Sequence, residues 1–197
     1  DLYERNTPPS YLQFGSTISF NHAENIYIAS LKKQFSALSL QGRTVVLDCA
    51  HGATHTVAPI IFEALGARVI TIHSAPTGTN INEQCGALHP QTLQNAVIEH
   101  AADFGCAFDG DGDRVILVSN AGHVKNGDDI LALLSEHPQY QQQQIVVGTV
   151  MSNQGLEQYL RSKQKQLMRT PVGDRWVAAH LAHNNLLFGG EQSGHLI

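Results

Sequence analysis

Few features of the 197-residue chain would place it outside the ordinary globular class. Charged residues make up only 15%, and a formal net charge of −5 leaves no basic footprint for a nucleic acid. No apolar run approaches the about 20 residues that a spanning helix needs. The opening DLYERNTPPS holds no apolar region of the secretory kind. Nucleic acid and membrane are therefore set aside as partners. Cysteine is scarce: Cys49, Cys85 and Cys106 are odd in number, widely spaced and without a C-x-x-C pair. That excludes a disulfide framework and suits buried thiols in a reducing cytoplasm. The eleven histidines are scattered without convincing zinc spacing, so most read as surface or satisfied core residues. What remains is a 42% hydrophobic share, enough for one large or two small domains with cores.

The pattern along the chain alternates strands and helices. TVVLD (44–48) reads as a buried strand, followed by a helix over 56–65 with Gly66 as its stop, and then a strand RVITI. A loop from 73 to 90 is longer than the usual connection, which often marks function. A helix from Gln91 to Ala101 leads to a strand ending before Asp109, and RVILV forms the next strand. NAG at 120–122 is a turn and a candidate domain boundary. Beyond it, Asp128 and Asp129 open a helix in the first turn, where the helix dipole favours them. PQYQQQQ reads as an exposed connection, IVVGTV as a strand, LEQYLRSK as a helix, LMRT as a strand and WVAAHLAHN as a helix. Both halves run strand, glycine-containing loop, helix, strand. The expectation is an α/β fold of two related layered domains with mixed, largely parallel sheets.

The first chemical signal is FDGDGDR. Asp109, Asp111 and Asp113 fall at alternate positions, with glycines between and Arg114 after them. At about 4 Å and an effective dielectric near 20, each carboxylate pair repels by roughly 4 kcal/mol. Splaying into water, protonation or a cation relieves that. In an extended segment the three side chains share one face, which favours the cation. Oxygen-only ligands point to Mg2+, Mn2+ or Ca2+ over zinc or copper. The bland alternative is a solvated acidic turn. An EF-hand fails, because the sixth and twelfth positions from Asp109 hold Arg114 and Asn120 where glycine and glutamate are needed.

The second signal is GGEQSGH, where Glu191, Ser193 and His195 alternate after two glycines. An acceptor, a hydroxyl and an imidazole suit sugar hydroxyls or proton transfer near neutral pH, with an ordinary polar turn as the alternative. TPVGDRW offers Gly173 and Asp174 at a helix start. Asp174 is either simply the N-cap or part of a terminus whose N–H groups suit a phosphate or hydroxyl; Arg169 and Arg175 are either ordinary surface residues, the commoner case, or nearby positive charge. MSNQG, before its own helix, is likewise either a cap or an anion site.

Together these residues resemble the α-D-phosphohexomutases, and within them the branch acting on glucosamine phosphates. FDGDGDR is similar to the family's metal loop and GGEQSGH to its sugar loop. NINEQCGALHP, TVMSNQGLE and VGDRWV stand in the matching order, and the likeness runs from about residue 20 to the end. The resemblance implies four domains around a cleft, the first three related. This chain then corresponds to a remnant or linker (1–18), the second domain with the metal loop (19–119) and an incomplete third with the sugar loop (120–197). It implies Mg2+ held by Asp109, Asp111 and Asp113, with Arg114 stabilising the transferring phosphoryl group. It also implies that Glu191, Ser193 and His195 hold the sugar, beside Gly173 and Asp174, with His195 assisting proton transfer. The implied reaction interconverts glucosamine 6-phosphate and glucosamine 1-phosphate through a phosphoserine and a bisphosphate, in a cytoplasmic enzyme feeding cell-wall amino-sugar synthesis. The implied partner is a small sugar phosphate, with pairing into a homodimer in the full-length protein and a monomer for this chain alone.

The chain departs from the family pattern in lacking T-A-S-H-N-P and a serine- and glycine-rich phosphate loop. TISFNHAEN has a serine without the histidine-asparagine-proline that should follow, His51 replaces the usual asparagine, and Trp176 the usual tyrosine. The expectation is a truncated piece, inactive alone. The rivals are a haloacid-dehalogenase-type phosphatase with Asp109 as nucleophile, a non-catalytic metal or sugar-phosphate module, and a phosphomannomutase or phosphoglucomutase.

Overall fold

The computed structural model describes residues 16–197, so most of the expected 1–18 linker lies outside the described residues. Five strands, β1 (Thr44–Asp48), β2 (Arg68–Ile72), β3 (Phe104–Phe108), β4 (Val115–Ser119) and β5 (Val124–Lys125), form one sheet in the order β2-β1-β3-β4-β5. β1 runs parallel to β2 and β3, while β4 is antiparallel to both β3 and β5. β1 has helices on both faces, and Val45, Val46 and Leu47 are all 0% exposed. A continuous apolar strand is what such a position requires. Val46 packs with Leu93 and Val97 of α3 (Gln91–Glu99). Val45 and Leu47 face Ala58 and Phe62 of α2 (Thr54–Ala64), which in turn meets α1 (Ala23–Gln34).

The second unit is built on a parallel pair, β6 (Ile145–Thr149) and β7 (Gln166–Thr170). On one face Val146 packs with Leu131 of α4 (Gly127–Glu136) and with Leu156 and Leu160 of α5 (Gln154–Ser162). On the other, Val147 meets Val177 and Leu181 of α6 (Asp174–Asn184). The β1–α2–β2 and β6–α5–β7 segments thus repeat one parallel motif, and the expected α/β architecture is present. Beyond α6 the chain returns beside β6, where Gly190 N–H donates to Val147 O at 3.0 Å.

Several boundaries differ from the sequence expectation, each for a physical reason. α2 starts at Thr54 because Ala53 N–H donates to Gly110 O at 2.8 Å, which fixes the helix entry. α5 starts at Gln154 because Asn153 caps it, its side chain accepting Leu156 N–H at 2.9 Å. The polar tract after Pro138 is not all exposed. Gln143 is 7% exposed, donates to Ile145 O and Phe188 O, and accepts Leu187 N–H. Among the described residues no helix is long and apolar enough to cross a membrane.

Candidate functional site

The aspartates do not lie along an extended segment. They occupy the turn between β3 and β4, where Gly112 N–H donates to Asp109 O at 3.2 Å. The turn brings one oxygen of each of Asp109, Asp111 and Asp113 within 4.8 Å of the others. Asp109 is 3% exposed; its Oδ1 accepts Arg114 N–H at 3.1 Å and its Oδ2 lies 2.9 Å from Arg114 Nε. The same Nε is 3.3 Å from Asp113 Oδ1. Burial works against the charge on Arg114, but Asp109 and then Asp113 outweigh it, and its pKa is raised. At such separations each carboxylate pair repels by a few kcal/mol at an effective dielectric near 20. One arginine against three carboxylates leaves net negative charge, and hard oxygen ligands of that number fit a divalent cation.

The 189–195 segment is also a turn and not an alternating strand. Glu191 N–H donates to His195 O at 2.8 Å, and Gly194 N–H to Glu191 O at 3.0 Å. The turn is joined to the aspartate loop by its backbone. Val115 N–H donates to Gly194 O at 3.1 Å, Arg114 and His195 form an antiparallel bridge, and Gly127 N–H donates to Gln192 O at 3.0 Å. A side-chain contact adds to this, with His195 Nδ1 at 3.1 Å from Asp113 Oδ2. Glu191 Oε1 accepts Gly173 N–H at 2.9 Å, drawing the start of α6 into the group.

The result is an open cavity of about 400 Å3 lined by Asp113, Arg114, Val172, Asp174, Glu191, Ser193 and His195. Six of these seven were sequence candidates. Gly173 adjoins the cavity through Glu191, while Asp109 and Asp111 are outside its lining but converge with Asp113, which is part of it. Two details differ from expectation. Gly173, not Asp174, occupies the N-cap, and Asp174 is the first helical residue, its Oδ1 accepting Arg175 N–H at 2.8 Å. Arg169 is not available as loose positive charge. Its guanidinium donates to Thr149 O, Ser152 O and Glu157, tying the 149–153 loop to α5.

Sequence reasoning missed the support beneath the aspartate loop. Gly52 abuts Gly110 so closely that a Cβ there would sit 2.2 Å from Gly110 O. Ile81 and Asn82 close over Gly110 from the other side. The unusual length of the 73–90 loop was the available signal.

This arrangement can be set beside known proteins. Residues 25–122 match the description "Phosphoglucomutase/phosphomannomutase, alpha/beta/alpha domain II", and residues 126–197 match domain III of the same family. The chain belongs to that family, the α-D-phosphohexomutases. It is 45% identical over 193 residues to a phosphoglucosamine mutase of Anaeromyxobacter, covering 96% of this chain and 41% of that protein. It is 49% identical over 175 residues to the phosphoglucosamine mutase of Chlamydia trachomatis, covering 87% and 38%. A crystal structure of a phosphoglucomutase/phosphomannomutase family protein from Burkholderia thailandensis superposes with a TM-score of 0.75 at 25% identity, covering 88% of this chain and 38% of that one. The chain therefore spans about two fifths of the length of these relatives.

Proposed function

We propose that the chain forms the metal- and sugar-holding core of a phosphosugar mutase that interconverts glucosamine 6-phosphate and glucosamine 1-phosphate. The observation that carries this reading is the direct joining of the two loops, with His195 against Asp113 and Gly194 against Val115, around one polar cavity. Asp109, Asp111 and Asp113 would hold Mg2+, a hard ion commonly bound by carboxylates together with substrate phosphate. Bound there, Mg2+ supplies positive charge beside the transferring phosphoryl group.

Arg114, held by Asp109 and Asp113, would add a fixed positive charge facing the cavity. Glu191 and Ser193 would accept and donate to sugar hydroxyls, while Gly173 and Asp174 shape the wall behind them. His195 would take the proton from the attacking hydroxyl and return it to the departing serine oxygen. In that step the serine Oγ–phosphorus bond breaks and a sugar oxygen–phosphorus bond forms. No T-A-S-H-N-P-like segment occurs in the 197 residues, so the phosphoseryl group is assigned to another part of the whole protein. The 45–49% identity to proteins named phosphoglucosamine mutase supports the glucosamine reading, and the proposal includes a cytoplasmic setting.

Trp176, the single tryptophan, lies two residues beyond the cavity-lining Asp174, and its fluorescence is the readout chosen for binding. Titration with glucosamine 6-phosphate and Mg2+ should give a saturable change that Ser193→Ala weakens at least tenfold. No response from a folded chain would overturn the sugar-phosphate reading. Tighter binding of mannose 6-phosphate would overturn the choice of sugar.

A further inference from the structure

A second set of ligand atoms lies apart from the aspartate loop. Asp48 ends β1, His73 follows β2, and Cys85 sits late in the 73–90 loop. One atom from each comes within 4.8 Å of the others. We propose that Asp48, His73 and Cys85 form a binding site for a transition-metal ion, Zn2+.

The donor set differs in kind from that of the aspartate loop. A thiolate, an imidazole and a carboxylate are ligands Zn2+ accepts together, whereas Mg2+ prefers oxygen alone. Asp48 is 0% exposed, and no lysine or arginine pairs with it among the described residues. Its carboxylate is oriented from behind, Oδ1 accepting Ala50 N–H and Oδ2 accepting Gly86 N–H, both at 3.0 Å. Each oxygen keeps a lone pair free. His73 Nδ1 lies 3.0 Å from Asp48 Oδ2 but off the hydrogen-bond direction, so this buried nitrogen has no hydrogen-bond partner. An orphaned imidazole nitrogen 3.0 Å from a buried carboxylate and close to a thiol is what an ion would satisfy.

Cys85 is 0% exposed. Burial and the neighbouring Asp48 raise its pKa, so the ion must displace the thiol proton on binding. His73 keeps part of its side chain at the surface, which gives an entry side. His51 stacks edge-on against His73 with ring centres 5.4 Å apart, but its own Nδ1 accepts Ala75 N–H, so it covers the site without joining it. Three protein ligands leave a coordination position for water. The site also lies under the aspartate loop: a Cβ at Gly86 would meet the carbonyl of Phe108, the residue just before Asp109.

The test is Co2+ titration of the full 197-residue chain, stripped with chelator and held in excess Mg2+, followed by thiolate-to-cobalt charge-transfer absorption. One equivalent of Co2+ should develop the band and Zn2+ should abolish it. Cys85→Ser and His73→Gln should each remove it, and Asp111→Asn should leave it in place. Circular dichroism checks the fold of every variant, and His73→Gln at the surface edge serves if Cys85→Ser does not fold. Absence of the band in the folded wild type would overturn the proposal. So would a band that survives in folded Cys85→Ser, or one lost in folded Asp111→Asn.

Discussion

Replacing Gly52 by alanine puts a methyl carbon 2.2 Å from Gly110 O and 2.7 Å from Gly110 Cα, in the loop that carries the three aspartates. Both obstacles are backbone, so no rotamer change relieves them, and one chain must move. The same movement strains the Ala53 N–H to Gly110 O hydrogen bond, now 2.8 Å. Overpacking costs about 1–3 kcal/mol, and a lost hydrogen bond adds about 1 kcal/mol. The sum, about 2–4 kcal/mol, corresponds to a fall in Tm of roughly 4–16 °C for a chain of this size. Because Gly110 lies between Asp109 and Asp111, the displacement also opens the carboxylate cluster. A loss of about 1.4 kcal/mol there is a tenfold loss of cation affinity. Gly42→Ala is the control: its φ is +78° and its would-be Cβ meets open space, so it carries a conformational cost of about 1–2 kcal/mol and no cation effect. Differential scanning fluorimetry reads the stability, and Mn2+ titration by electron paramagnetic resonance reads the site. A Gly52→Ala protein that melts no lower than Gly42→Ala and binds Mn2+ as the parent does would refute the reasoning.

Leu93→Ala should cost about 2–5 kcal/mol by urea unfolding, since Leu93 is fully buried against Val46 and fills the space over Gly105. Asp128 has its pKa raised by burial, against the opposing Asn153 N–H, so the native state holds its proton more tightly than the unfolded chain does. Stability from this group is present below the unfolded value of 3.8 and declines as pH rises through the folded value; Asp128→Asn should flatten that decline in urea midpoints measured across acidic pH. Burial pushes the Cys49 thiol up to about 11 and the Cys106 thiol up to about 12. Native protein should therefore react with a disulfide reagent at neutral pH only as fast as it opens, and a rapid burst at either thiol would contradict the structure.

The strands were the most legible part of the fold, because TVVLD and IVVGTV are apolar runs that only a two-sided burial explains. Helix starts were read two residues late at α2 and α5, where the deciding groups are the Gly110 carbonyl and the Asn153 cap. The first of these is a tertiary contact no local pattern contains. The site candidates were found by residue type and spacing, but the assumed route to convergence was wrong. Alternation in an extended segment was the expectation, and tight turns with internal hydrogen bonds are what gather the side chains. The partners of Arg169 were illegible for a similar reason, since a sequence marks its charge but not the carbonyls of Thr149 and Ser152 that it serves. Asp48, His73 and Cys85 come from three separate segments, so no spacing rule could have grouped them.

The two loops are joined by backbone, and this separates two kinds of substitution. Ser193→Ala removes a hydroxyl from the cavity and leaves the Val115 N–H to Gly194 O bond intact, so sugar-phosphate affinity should fall while Mn2+ affinity holds. Gly194 has φ +95°, and a Cβ there would sit 2.2 Å from Val115 O, one residue beyond Arg114. Gly194→Ala therefore strains its own turn and pushes on the strand that orients Arg114 and Asp113. Mn2+ affinity and the Trp176 response to glucosamine 6-phosphate should then weaken together, each at least tenfold. A Gly194→Ala protein that loses sugar phosphate but keeps parental Mn2+ affinity would show that the loops move independently, and that the backbone joint does not set the distance between metal and sugar.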